Sequence, residues 1–288
     1  MSVLTGIRVV TIAVNAPGPL AMSRLRDAGA TVFKIEPTDG DPMTSFCPAW
    51  YEELRRGMHV ERLDLKSDDG QLRIHALLAE ADLFVASQRP SALTRLKLDA
   101  DSLLDPAKGT TRLRWLNIVG DTRNPEVAGH DLTYLARAGL LGREIPRTLM
   151  ADVLGAQHAF ATCLLLLRDA PGARAVVGLY DALAPLVAPL EHGVTRPGGL
   201  LGGGLNAYGL YDAREGRIAV AALEPHFRAR LYSSLGVDPT ADLTSTFESR
   251  SAAEWESWAI AQDLPLCEVS DEPRKPAPSS DRHNLSPE

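Results

Sequence analysis

The segment IRVVTIAVNAPGPLAMSRLRDAGATVFKIE, residues 7–36, places a helical pattern between two runs rich in β-branched residues. Residues 7–14 and 31–36 each predict a buried strand, because Val, Ile and Thr favour an extended backbone. Apolar residues recur at helical spacing over 20–28, and Gly29 is a typical helix stop. A strand, a helix and a strand in this order predict two parallel strands joined by a right-handed crossover.

The remainder of the chain extends this unit into an α/β fold with a second domain. Further elements are predicted as strands at 82–86 and 114–119, helices at 71–80, 91–98, 99–104 and 153–167, a loop at 38–47, a break at 170–175, a hairpin of 208–211 with 217–222, and helices at 227–235 and 251–261. We therefore expect a large Rossmann-like parallel-sheet domain over 1–195, a Gly-rich linker at 196–206, a small α+β domain over 207–270 and a flexible tail at 271–288.

The acidic residue at the end of the second predicted strand, Glu36, raises the question of a dinucleotide site. Such a site needs three glycines in the turn after the first strand, where the backbone approaches the pyrophosphate. Only Gly18 is present in this turn, so NAD binding is disfavoured.

Composition and charge exclude several classes of partner. The 288 residues carry a formal net charge of −7, which disfavours nucleic acid and anionic membranes. The N-terminus lacks the pattern of a signal peptide, and the longest apolar run, near 163–167, is too short to cross a bilayer. Cys47, Cys163 and Cys267 lack CxxC spacing and are expected to be reduced thiols of a cytoplasmic protein.

Three separated segments carry residues suited to proton transfer: Gly129-His130-Asp131, the start of the apolar helix at Asp152, and Leu223-Glu224-Pro225. An imidazole and two carboxylates from separate elements form an acid/base set if the fold brings them together. Each residue also has an ordinary interpretation. A lone histidine is more often structural, Asp152 could cap its helix, and Glu224 is typical of a surface turn.

The position of Asp152 at a helix start also has a chemical interpretation. Amides at a helix start stabilise an anion on a bound substrate, and they are expected to keep Asp152 ionised. Arg89 follows a predicted strand and precedes Pro90, which suits an anion-binding loop or a pair with an acid. The histidines lack metal-site spacing and the serines lack a GxSxG elbow, so neither a metal centre nor a hydrolase triad is predicted.

With these residues in view, the sequence resembles the family III CoA-transferase superfamily of the CaiB/BaiF type, and within it the α-methylacyl-CoA racemase branch. The matching motifs are Leu4-Thr5-Gly6-Ile7-Arg8-Val9-Val10, Ala16-Pro17-Gly18-Pro19, Asp27-Ala28-Gly29-Ala30-Thr31-Val32, Leu63-Asp64-Leu65-Lys66-Ser67, Arg89-Pro90, Gly129-His130-Asp131, Asp152, Gly216-Arg217-Ile218-Ala219-Val220 and Leu223-Glu224-Pro225. Their common order makes the resemblance specific. It implies an enzyme of acyl-CoA thioesters without a separate cofactor, since CoA enters as part of the substrate.

The resemblance also implies a role for each candidate residue. His130 is expected to be one acid/base, and Asp152 the opposite acid/base or, in a transferase, the acyl-accepting nucleophile. Glu224 is expected to pair with His130, Arg89 to bind CoA, and Asp131 to be a second candidate for substrate binding. An interlocked homodimer is implied, with the active site between the large domain of one chain and the small domain of its partner.

Inverting a carbon beside a thioester requires removal of a proton from one face and its return on the other. His130 and Asp152 meet this requirement, so the first hypothesis is a racemase or epimerase of 2-methylacyl-CoA thioesters, an isomerase of lipid metabolism. A CoA transferase with Asp152 as nucleophile is the alternative, and a non-catalytic or repurposed relative is the third. The sequence departs from the family at Pro37-Thr38, where a basic residue is usual, and in the loop 119–125, which has fewer glycines.

Overall fold

The computed structural model describes residues 2–105 and 112–273. The chain forms two compact units, Met1–Ala188 and Pro189–Glu288. The predicted linker at 196–206 lies inside the second unit, and most of the predicted tail at 271–288 lies outside the described residues. That 196–206 links two domains stays a prediction.

The first unit is built on a six-stranded sheet in the order β3-β2-β1-β4-β5-β6, in which all neighbouring strands are parallel. Its strands are β1 (Arg8–Thr11), β2 (Thr31–Glu36), β3 (His59–Arg62), β4 (Leu83–Ala86), β5 (Arg114–Val119) and β6 (Arg174–Gly178). The strand order reverses between β1 and β4. Open α/β sheets bind their ligands at the carboxyl ends of the strands at such a switch point.

Helices cover both faces of this sheet. The helices of this part of the chain are α1 (Pro17–Asp27), α2 (Met43–Phe46), α3 (Pro48–Arg55), α4 (Asp68–Ala79), α5 (Pro90–Leu96), α6 (Ala100–Leu103), α7 (Asp131–Arg137), α8 (Met150–Arg168), a 3-10 helix (Asp181–Leu183) and α9 (Ala184–Glu191), the last of which runs across the boundary between the two units. Successive strand residues point to opposite faces of the sheet. Val9 accordingly packs in one hydrophobic layer with α1 and α8, whereas Val10 packs in the other with α4 and α5.

The predicted strand–helix–strand unit is confirmed. β1 and β2 are parallel, with Val9 opposite Val32. Helix α1 begins at Pro17, where a proline loses no helical hydrogen bond. Gly29 follows the end of α1 with φ of 103°, a backbone angle that favours glycine, and the chain turns there into β2.

Several elements of the first unit have no clear pattern in the sequence. Helix α2 lies within the predicted loop at 38–47, and the predicted break at 170–175 runs into β6. Strands β3 and β6 are the two edges of the sheet, and their residues are largely exposed or half-buried. An edge strand has one partner and needs no continuous apolar run, which is the signal that identifies a buried parallel strand.

Helix α8 is longer than the apolar run near 163–167 indicates. It has 19 residues and a mean hydropathy of 1.5 over its most apolar window, so by length and composition it could cross a bilayer. This corrects the expectation that the run is too short. Core helices meet the same criterion, and α8 packs against α1, α7, β5 and β6 of the first unit.

The second unit contains a three-stranded antiparallel sheet in the order β7-β8-β9. Its elements are β7 (Tyr208–Asp212), β8 (Arg217–Ala221), α10 (Pro225–Leu235), α11 (Thr244–Phe247), α12 (Ala252–Ala261) and β9 (Leu266–Glu268). The predicted hairpin and the two longer helices are confirmed. Trp255 is buried at the centre of this core and donates its indole N–H to the carbonyl of Phe247 at 2.8 Å.

Candidate active site

A cavity of about 300 Å³ lies at the carboxyl ends of β1, β4 and β5 in the first unit. Its walls come from the segments that follow these strands and from residues 125–130. Three of the residues singled out from the sequence, Arg89, His130 and Asp152, line this cavity together. Its place at the switch point of the sheet is where α/β folds bind ligands.

His130 is the residue immediately before helix α7, and it is exposed. The hydroxyl of Thr133 accepts a hydrogen bond from the backbone N–H of His130 at 3.0 Å and donates one to its carbonyl at 2.8 Å. These two bonds fix the backbone at the start of α7. The backbone of His130 is thereby held at the wall of the cavity.

Asp152 is the third residue of helix α8 and lies half-buried in the same cavity. Burial, and then the charge of Asp131, raise its pKa from 3.8 to about 7. The expectation that Asp152 stays ionised thus holds only in part, because desolvation of the carboxylate raises its pKa and leaves a mixture of both protonation states at neutral pH. A group with a pKa near 7 both accepts and donates a proton at neutral pH, as acid/base catalysis requires.

Asp131 is buried behind this wall, with 6% of its surface exposed. Its carboxylate accepts a hydrogen bond from the backbone N–H of Asp152 at 3.0 Å, and it thus ties the start of α7 to the start of α8. In the structure Asp131 positions Asp152 and adds a like charge beside it. A contact between Asp131 and substrate stays a prediction.

Arg89 immediately precedes helix α5, is exposed, and lines the same cavity as His130. The carboxylate of Glu126 joins residues 125–130 to the start of α5, because it accepts hydrogen bonds from the backbone N–H of Ser91 at 2.7 Å and from the Ser91 hydroxyl at 2.8 Å. These bonds, and then the charge of Arg89, lower the pKa of Glu126. These polar contacts thus hold together two chain segments that contribute residues to the cavity lining.

The loop after β1, residues 13–15, is supported by a buried ion pair. Lys34 and Asp41 are fully buried, 2.8 Å apart, and Lys34 also donates to the carbonyl of Ala13 at 2.9 Å. Asp41 accepts from the backbone N–H of Asn15, which has φ of 63° and lines the cavity. Removing one partner of a buried pair typically costs about 3–5 kcal/mol. The shape of this wall therefore depends on residues that do not reach the cavity.

Two further cavities of the first unit share lining residues with the first one or with each other. A cavity of about 270 Å³ shares Gln88 with it, and a cavity of about 630 Å³ shares Lys66 with the second. The third cavity is also lined by Arg95 and Lys97. The sequence motifs include Lys66 but do not indicate Arg95 and Lys97, because only the fold brings the end of α5 next to the segment after β3. Pro37 and Thr38, at the position where the family has a basic residue, line the second cavity.

Glu224 lies in the second unit, where it is exposed and immediately precedes helix α10. Its pairing with His130 stays a prediction. Among the described residues, no group of three His, Cys, Asp or Glu side chains could hold a metal ion.

The fold and the cavity define an α/β protein in which a histidine and a carboxyl group of near-neutral pKa face one ligand site. Residues 4–273 match CoA-transferase family III, and the chain belongs to this family. It is similar to the CaiB/baiF CoA-transferase family protein ZK892.4 of Caenorhabditis elegans, with 26% identity over 93% of this chain and 86% of that protein. With the alpha-methylacyl-CoA racemase of Mus musculus the identity is 30%, over 88% of this chain and 69% of the racemase.

A solved structure of Rv3272 from Mycobacterium tuberculosis has the same fold, with a TM-score of 0.80 and 22% identity over 94% of this chain and 83% of that one. The resemblance drawn from the motifs is thus confirmed at the level of the family. Both racemases and CoA-transferases occur among the curated relatives. The family therefore consists of enzymes that act on CoA thioesters.

Proposed function

We propose that the protein is a racemase or epimerase of 2-methylacyl-CoA thioesters that moves the α-proton between His130 and Asp152. The observation that carries this proposal is that His130 and Asp152 line one cavity, in which burial raises the pKa of Asp152 to about 7. A transferase nucleophile has to be an ionised carboxylate, whereas a two-base racemase needs a group that is present in both protonation states. The raised pKa of Asp152 therefore favours the racemase.

In this mechanism the two groups act on opposite faces of the α-carbon. The Asp152 carboxylate removes the proton from one enantiomer, and the electron pair moves onto the thioester oxygen to give an enolate. The His130 imidazolium then returns a proton to the other face, and the reverse reaction exchanges the roles. Each positioned acid or base typically contributes a factor of about 10²–10⁴ to the rate. No separate cofactor is needed.

The three cavities, each of which shares a lining residue with the next, support a binding path for CoA. The thioester would lie between His130 and Asp152, and the extended arm of CoA would pass Gln88. Its phosphates would reach the cavity lined by Lys66, Arg95 and Lys97. Cationic side chains bind phosphate by charge-assisted hydrogen bonds, so this cavity offsets the missing basic residue at Pro37-Thr38.

The test is solvent deuterium incorporation into a 2-methylacyl-CoA in D₂O, followed by mass spectrometry. We expect exchange by the wild-type protein and its loss in both His130→Ala and Asp152→Ala. His158→Ala is the matched control, because His158 is exposed on α8 and does not line the cavity. Absence of exchange by the wild type with several 2-methylacyl-CoAs would refute the racemase.

A CoA transferase is the second candidate, favoured by the transferases among the relatives. Here the Asp152 carboxylate attacks the thioester carbonyl and releases CoA thiolate, which leaves a mixed anhydride. The thiolate then attacks the Asp152 carbonyl, releases the carboxylic acid and forms an aspartyl-CoA thioester. Hydroxylamine would trap either acyl intermediate at Asp152 in the presence of acyl-CoA. A binding protein without activity would give heat on titration with acyl-CoA but neither exchange nor trapping, and a relative that has lost CoA would give no heat.

We further propose a cytoplasmic homodimer in which Glu224 of the partner subunit pairs with His130. Exposed apolar side chains on α8, such as Leu165, support an additional contact surface. Co-expression of His130→Ala and Glu224→Ala chains tests the pairing. If the partner supplies the glutamate, a mixed dimer retains one intact site, although both variants are inactive alone. Inactivity of the isolated mixed dimer would contradict pairing between subunits.

A further inference from the structure

Tyr134 lies on α7 one helical turn after His130, and its backbone N–H donates to the carbonyl of His130 at 3.1 Å. It is buried, with 4% of its surface exposed, and it lines the cavity that His130 and Asp152 also line. The sequence does not indicate that Tyr134 lines the cavity, because a tyrosine at helical spacing is more often part of the core. The structure places its ring in the core and its edge at the site.

Two glycines in the cavity wall make room for this tyrosine. A methyl group on Gly120 would lie 2.1 Å from the Tyr134 hydroxyl oxygen, and one on Gly129 would lie 2.5 Å from its ring. Neither glycine has the positive φ at which glycine is favoured for the backbone alone. Because both glycines lack a side chain, they leave room for the ring and the hydroxyl of Tyr134.

The Tyr134 hydroxyl has no hydrogen-bond partner among residues 2–105 and 112–273. Its oxygen is nevertheless absent from the fully buried, unpartnered side-chain atoms of these residues, so it is accessible to solvent. It is therefore open to the cavity. Burial, and then the charge of Asp152, raise the pKa of Tyr134. The phenol thus stays protonated at neutral pH and is available as a hydrogen-bond donor.

We infer that the Tyr134 hydroxyl donates a hydrogen bond to the carbonyl oxygen of the bound thioester and stabilises the negative charge that develops there. The inference rests on the proposed function, in which the thioester lies between His130 and Asp152. Proton abstraction at the α-carbon moves an electron pair onto this oxygen, and a fixed donor in a water-poor site lowers the barrier. The proton of Tyr134 stays on the phenol throughout.

The experiment compares the wild type with Tyr134→Phe, which keeps the ring and its packing and removes only the hydroxyl. Tyr180→Phe is the matched control, because Tyr180 packs against Arg137 and does not line the cavity. Acetyl-CoA labelled with ¹³C at the carbonyl is bound to each protein, and its carbonyl stretch is recorded by difference infrared spectroscopy. We expect a lower frequency in the wild type and Tyr180→Phe than in Tyr134→Phe. For deuterium exchange we expect kcat to fall by a factor of about 10²–10³ in Tyr134→Phe, with KM unchanged.

The outcomes separate the two proposals. If the carbonyl frequency differs as expected but the wild type does not exchange deuterium, the racemase fails and the role of Tyr134 holds, because acyl transfer also places negative charge on this oxygen. Equal carbonyl frequencies in wild type and Tyr134→Phe overturn the inference alone. If neither acetyl-CoA nor a 2-methylacyl-CoA binds to the wild type, both proposals are overturned.

Discussion

Replacement of Asp152 by asparagine is expected to stabilise the protein while it abolishes proton transfer. The carboxyl group of Asp152 has a pKa of about 7 in the folded chain and about 3.8 when unfolded. Between these values the folded state holds a proton that the unfolded state has released, so the free energy of unfolding falls as the pH rises through this window. Asparagine resembles the protonated acid and removes this loss.

The magnitude follows from the shift in the pKa of Asp152. About 3 pH units at about 1.4 kcal/mol each correspond to about 4 kcal/mol. Relaxation and water entry around the carboxylate reduce this, so we expect Asp152→Asn to gain about 2–4 kcal/mol at pH 8 and about 1 kcal/mol or less at pH 4.5. The buried Asp152 carboxylate thus lowers the stability of the fold above neutral pH, while the same burial provides a proton-transfer group with a pKa near neutral pH.

Urea denaturation at both pH values, followed by tryptophan fluorescence, measures this difference. Asp39→Asn is the control, because Asp39 is an exposed loop residue outside the cavities, and its replacement should give the same stability change at both pH values. The same stability change at pH 4.5 and pH 8 for Asp152→Asn, or a loss of stability at pH 8, would refute the reasoning. In that case Asp152 would be a surface carboxylate without an environment suited to proton transfer.

Three other replacements test the rest of the site. Gly120→Ala should lower the free energy of unfolding by about 1–3 kcal/mol, because the new methyl meets the Tyr134 hydroxyl. Adding Tyr134→Phe should recover part of this loss in urea denaturation, and no recovery of the urea midpoint would contradict the contact. Asp131→Asn keeps an oxygen for the backbone N–H of Asp152 but removes the like charge beside it, so the pKa of Asp152 should fall. The pH profile of the deuterium-exchange rate should shift to lower pH, and an unchanged profile would count against this role of Asp131. Arg95→Ala should weaken binding of CoA in calorimetry by about tenfold or more, and an unchanged Kd would exclude the phosphate path.

Local pattern predicts the elements whose residues are buried for most of their length. The run from β1 through α1 to β2 follows from β-branched residues, helical spacing and a glycine stop, all of which act between near neighbours in the chain. The edge strand β6 does not follow in this way. Its residues become a strand because β5 offers hydrogen bonds to them, and this partner lies far away in the sequence.

The candidate site divides in the same manner. Motifs alone indicate His130, Asp152 and Arg89, and the structure places all three at one cavity. Motifs also point to Glu224, whose pairing with His130 remains a prediction. The protonation state of Asp152 cannot be predicted from its helix-start position, because the dominant influence on its pKa is burial by residues from other elements.

The sequence by itself determined the α/β class, the central crossover unit and membership of CoA-transferase family III, since these depend on periodicity and on motifs that are read in order. Only the tertiary structure decided the raised pKa of Asp152, the support of Asp152 by Asp131, the access of Tyr134 to the cavity, and the cationic cavity at the end of α5. The physical reason is that desolvation, like-charge repulsion and steric space depend on which distant side chains become neighbours.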